Sequence, residues 1–136
     1  MSPLRRRRRT SPEVRATLDA FDASRGTVEE AKAALVATVR MGRVEGIPLA
    51  EGLAGFESLL RRAAAGMPAW RSPDTESAWV ACDGAVAESL RRAERLRLEG
   101  SPRGYEELIA EVDRLLEPLD AFADAAASLR ALARGG

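Results

Sequence analysis

Residues 105–133, YEELIAEVDRLLEPLDAFADAAASLRALA, place apolar side chains at Tyr105, Leu108, Val112, Leu115, Leu119, Phe122, Ala126, Leu129 and Ala133. The steps alternate strictly between three and four residues, the spacing that lines one face of an α-helix. Ile109 and Leu116 widen the stripe, as suits a bundle helix with more than one neighbour. Pro118 lies inside the pattern. It removes one intrahelical hydrogen bond, but the period resumes at once, so a bend rather than a stop is predicted.

Working back from this stretch, three more segments keep a helical period. Trp79, Cys82, Val86, Leu90, Ala93 and Leu96 define a helix from about Pro73 to Glu99. Leu49, Leu53, Phe56, Leu60, Ala63 and Met67 define one from about Pro48 to Ala65, closed by Gly66 and Pro68. Gly52 and Gly55 weaken its propensity and mark a close helix–helix approach. Val14, Leu18, Phe21, Val28, Ala31 and Leu35 run from about Pro12 to Arg40. There, Thr27 and Glu30 form a T-x-x-E capping box after Gly26. The stripe stays in register across it, so one helix kinked near Gly26 is predicted, with two helices as the alternative. Ser11-Pro12, Ser72-Pro73 and Ser101-Pro102 each read as a hydroxyl N-cap followed by a first-turn proline. Short connections join antiparallel neighbours. The fold class predicted is all-α: an up-down-up-down antiparallel four-helix bundle over 11–134, with coiled-coil-like packing, behind a disordered basic tail at 1–10.

Composition bounds the chemistry. The chain has 136 residues, 46% hydrophobic and 31% charged, enough apolar material for one core. No apolar run approaches the roughly 20 residues of a membrane-spanning helix. Five arginines open the chain without an apolar segment behind them, which is no export signal, so a cytoplasmic protein is expected. Cys82 is the single cysteine, and no intrachain disulfide can form.

The sequence contains no histidine. That excludes Ser-His-Asp and Cys-His catalysis, as well as Glu-x-x-His di-iron sites. Cys82 reads as a small core residue one turn from Trp79. Carboxylates crowd the fourth helix at Glu106, Glu107, Glu111, Asp113, Glu117, Asp120 and Asp124, and carboxylates alone can hold Mg²⁺. Glu106-Glu107-x-x-x-Glu111 has the wrong spacing for the E-E-x-x-E helix of all-helical nucleotide pyrophosphohydrolases. Glu117-x-x-Asp120 matches the second half of that pattern but sits on the same helix, so the resemblance fails. No catalytic, metal or cofactor-binding set is assigned; a carboxylate-metal hydrolase is the least favoured reading.

Two features point to binding. Arg5, Arg6, Arg7, Arg8 and Arg9 form a candidate anion-binding run for nucleic acid or an anionic surface. They put +5 on residues 1–10 and leave the remainder at −5, with 16 basic against 21 acidic residues. Met67, Trp70 and Arg71 form a candidate partner surface, the alternative being a tryptophan folded back over the bundle's end. A second basic cluster, Arg91, Arg92, Arg95 and Arg97, lies near the third helix's C-terminus with Arg40 and Arg43 at the same end. Pairing with Glu94, Glu99, Glu106 and Glu107 is its plainer account. The function expected is a non-enzymatic helical interaction module that binds a protein partner or itself. In that case the fourth helix's stripe should prove wider than the internal core needs.

Overall fold

The computed structural model describes residues 11–40, 47–99 and 102–135. Four helical arms run up-down-up-down: α1 Pro12–Arg40, α2 Ile47–Gly66, α3 Glu76–Glu99, and a fourth arm broken into α4 Tyr105–Leu116 and α5 Ala121–Gly135. The described residues contain no strand. Each arm packs on its neighbours in sequence, and the fourth closes the ring against α1. The Arg5–Arg9 run and Arg43 lie outside the described residues.

α1 is one helix about 43 Å long at 1.5 Å per residue, continuous through Gly26. The predicted capping box does not form. Thr27 Oγ1 instead donates back to the Ala23 carbonyl at 3.1 Å, inside an unbroken helix. The unbroken stripe explains this: Phe21, Val28, Ala31 and Leu35 are all buried on one face, and restarting the helix would rotate half of them out of the core. At its start, the Val14 N–H donates to Ser11 Oγ at 3.1 Å with Pro12 as the first helical residue, as the sequence predicts.

Ser72-Pro73 does not open a helix, and Ser101 lies outside the described residues. Ser72 to Thr75 form a turn, and the Trp79 N–H bonds the Thr75 carbonyl at 2.7 Å, so α3 begins three residues later than predicted. Pro102 lies before the start of α4, whose N-cap is Gly104.

Gly52 is where α1 and α2 approach. A Cβ there would lie 2.2 Å from Thr38 Oγ1 and 3.1 Å from Thr38 Cβ. Only a glycine fits against a short β-branched side chain that itself bonds the Ala34 carbonyl at 3.3 Å. Gly55 has nothing within 4 Å of such an atom; of the two glycines, Gly52 makes the close contact.

The bend at Pro118 becomes a 3₁₀ turn, Glu117–Asp120, between α4 and α5. Proline has no N–H, so the Arg114 carbonyl four residues back loses its helical donor. α3 supplies replacements. Arg92 Nη1 donates to the Arg114 carbonyl at 2.8 Å, and the buried Ser89 Oγ donates to the Leu115 carbonyl at 2.8 Å. One element away, the Cys82 thiol lies 3.7 Å from the Ala121 carbonyl. The break is thus stitched to the neighbouring helix rather than left to solvent.

Two measurements follow from this packing. Gly52→Ala should lower unfolding free energy by about 1–3 kcal/mol through overpacking, while Gly55→Ala is neutral or raises it by up to about 1 kcal/mol; urea melts of the two compare them directly. Ser89→Ala strands the Leu115 carbonyl away from water and should cost about 1–3 kcal/mol, read in the same melts.

Candidate functional site

The α2–α3 connection carries the candidate partner surface, and for Met67 and Trp70 the structure takes the other course read from the sequence, the tryptophan folded back into the bundle. Gly66 ends α2 with right-handed backbone (φ −87°), not the left-handed C′ geometry, and the chain continues as a 3₁₀ turn, Met67–Trp70. That extra turn swings both large side chains inward: Met67 and Trp70 are fully buried. Trp70 meets Phe21 edge to face with ring centroids 4.9 Å apart, and Phe21 stacks on Phe122 at 6.3 Å. The indole N–H donates to the buried Ser24 Oγ at 3.2 Å, and Ser24 passes a long bond to the Ala63 carbonyl at 3.5 Å. Trp79 Nε1 donates to the Met67 carbonyl at 2.8 Å, and Thr75 Oγ1 to the Trp70 carbonyl at 2.8 Å. This is a plug with every polar atom satisfied.

Arg71 alone of the three reaches the surface. Its guanidinium lies over the Trp79 ring at 4.0 Å and grips Glu76 through two bonds of 2.9 and 2.8 Å. The Glu76 carboxyl is held below its ordinary range by that hydrogen-bonded pair. Arg71 is therefore already occupied within the chain.

Three arginines of the second basic cluster, Arg91, Arg92 and Arg97, pair within the chain, on partners other than those predicted, while Arg95 stays exposed. Arg91 and Arg92 both bond Glu88, at 2.6 and 2.8 Å, and this pulls the Glu88 carboxyl below its usual value. Arg97 crosses from α3 to Glu57 of α2 at 3.2 Å, and Arg61 stands 3.5 Å from the same carboxylate. Glu57 is buried at 4% exposure, so this pair ties two helices together. The sequence signal for it was weak: Glu57 follows Phe56 on the core-facing side of α2, next to the apolar stripe. An open cleft of about 560 Å³ between α3 and α4 is lined by Glu88, Arg92, Glu111 and Arg114; Arg114 pairs with Glu111 at its rim.

The carboxylates of the fourth arm do not converge. Among the described residues no group of three or more acidic or sulfur ligands could hold a metal ion. Cys82 is fully buried. Burial, and secondarily the negative charge of Asp124, pushes its thiol up to about 12, the opposite of an activated nucleophile.

Four large apolar side chains stay exposed among the described residues; one, Val80 at 52%, stands far from the other three, near the start of α3. Leu98 is 79% exposed, Tyr105 46% and Ile109 37%. Leu98 sits one residue from the end of α3, Tyr105 opens α4 after a five-residue connection, and Ile109 lies one turn further on the Tyr105 side. All three share one end of the bundle. Tyr105 and Ile109 were predicted as part of the core stripe; the core stops at Leu108 and leaves both outside. Among the described residues no helix is long and apolar enough to cross a membrane.

Comparison with protein-family models, curated proteins and solved structures finds no match for this chain.

Cys82 gives a direct check on the core at this site. An unfolded thiol ionises near 9.0, whereas the native one does so near 12. The native state therefore holds the proton more tightly. Its contribution is complete below pH 9 and is lost as pH rises from 9 towards 12. Modification by a thiol reagent at pH 8 should proceed only at the rate of global opening, and Cys82→Ala should flatten the alkaline loss of stability seen by thermal melting.

Proposed function

We propose that this protein is a helical interaction module that engages a second copy of itself or another protein through the end of the bundle formed by Leu98, Tyr105 and Ile109. The observation that carries the reading is the surplus stripe. The fourth arm keeps its apolar period beyond what the core uses, and the surplus falls at the same end of the bundle as the exposed Leu98 of α3. Single exposed apolar side chains are ordinary, but three at one end form the kind of surface that marks a partner site. Tyrosine in such a position supplies rigid contact area at low entropic cost.

The charge split favours a second reading, binding of a polyanion by Arg5–Arg9, because five consecutive cations precede a body of net −5. Retention on heparin that falls steeply with salt, and is lost when the five arginines become glutamine, would distinguish it from the apolar reading.

Sedimentation equilibrium together with capture on immobilised protein tests the first. Replacing Leu98 and Ile109 together by glutamate should weaken association at least about tenfold, the loss expected from removing one hot spot of about 1.4 kcal/mol or more. Stability should stay within about 0.5 kcal/mol, as for exposed positions. A monomer with no captured partner, unchanged by the substitutions, refutes it.

A further inference from the structure

The end of the bundle opposite Leu98 carries a different surface. α3 and α5 diverge there around an open groove of about 420 Å³, walled by Ala78, Ala81, Ala125 and Ser128, with Asp74 and Asp124 on its edges. A smaller groove continues from it past Asp74 to Glu13 and Val14, at the start of α1. Every charged side chain lining the two grooves is acidic: Glu13, Asp74 and Asp124. None of the three has an ion-pair partner among the described residues. The walls are short alanine and serine side chains, which leave the groove open along the helices.

The chain enters the described structure at Ser11, the N-cap of α1, directly beside this pair of grooves. Arg9 is two residues upstream of Ser11 and Arg5 six. An extended chain advances about 3.3–3.6 Å per residue, so the run covers distances from about 7 to about 20 Å. From Glu76 to Ala81 the α3 wall rises only about 8 Å at helical pitch, with Asp74 in the turn just before it. Attachment through a single residue, Thr10, also keeps the local concentration of arginine high without any added affinity.

We propose that Arg5–Arg9 docks along the acidic groove between α3 and α5 of its own bundle, a latch that an external polyanion must displace. The pairs formed would be exposed, individually weak and screened by salt. The arginine run is then not freely offered to any anion; an outside ligand has to outcompete Asp74, Asp124 and Glu13. This inference does not rest on the apolar end of the bundle, and its failure would leave that reading untouched.

Paramagnetic relaxation in the full-length protein tests it. A nitroxide is attached at Ser2→Cys, with the buried Cys82 left unlabelled. It should broaden the amide signals of Ala78, Ala81, Ala125 and Ser128 while sparing the outer face of α1 around Glu29. That broadening should be lost when Arg5–Arg9 are replaced by glutamine, lost in Asp74→Asn/Asp124→Asn, and lost at about 1 M salt, where the screening length falls to about 3 Å. Broadening spread evenly over the bundle overturns the proposal, as does groove broadening that survives the glutamine replacements. Mixing spin-labelled, isotopically silent protein with unlabelled ¹⁵N protein reports the remaining case: broadening in that sample means a second copy's tail is the occupant, and the intramolecular latch is wrong.

Discussion

Trp70 is where the chain's distant segments are made to agree. Its ring is wholly buried against Phe21 of α1, which in turn stacks on Phe122 of α5. Its N–H is taken by Ser24 of α1, and its carbonyl by Thr75, the residue from which α3 departs. A buried indole without a hydrogen-bond partner would be costly, so the position of Ser24 on α1 and the direction of the 66–75 connection are fixed together. The start of α3 follows from that, and with it the facing of Trp79, Cys82 and Val86 towards the core and of Ser77 and Ala81 towards the groove.

Pro118 imposes the second constraint, and α3 answers it. A proline inside a bundle helix frees carbonyls that lipid or a dry core could not tolerate. Here the gap opens towards α3, where Ser89 and Arg92 sit one turn apart and reach successive carbonyls, Leu115 and Arg114. The fourth arm therefore runs past the proline with its stripe intact: Leu115, Leu119 and Phe122 are all buried across the break. Arg92 is held for this task by Glu88, which also pairs with Arg91.

Much of this was legible in the sequence. The three–four spacing located all four arms, and the register shared by Phe21, Val28 and Leu35 correctly outweighed the capping box at Thr27, because a continuous buried stripe is worth more than one cap. Local signals failed where a distant partner decided the outcome. Ser11-Pro12 and Ser72-Pro73 read alike, yet Ser11 caps a helix, while at Ser72 the Thr75 hydroxyl bonds back to Trp70 and holds a turn instead. Whether Trp70 faced a partner or folded back was not decided locally, because the aromatic pair it joins, Phe21 and Phe122, lies 49 and 52 residues away in the chain. Tyr105 and Ile109 failed in the reverse sense: periodicity reports which face a residue lies on, not whether a neighbour covers it.

The two surfaces left over from folding stand at opposite ends of a bundle about 40 Å long by helical rise. At physiological salt the screening length is about 8 Å, so charge rearrangement around Asp74 and Asp124 is not felt electrostatically at Leu98 or Tyr105. Any influence of one end on the other has to pass through packing, and the route available is α3, which carries Asp74's neighbours at one extremity and Leu98 at the other. α3 is also bonded to the rest at several levels, through Trp79 to Met67, Ser89 and Arg92 to the Pro118 break, and Arg97 to Glu57. A helix pinned at three levels along its length resists the sliding or rotation that would transmit such a signal. The acidic end and the apolar end are therefore separate surfaces, tied to one another only through a pinned helix.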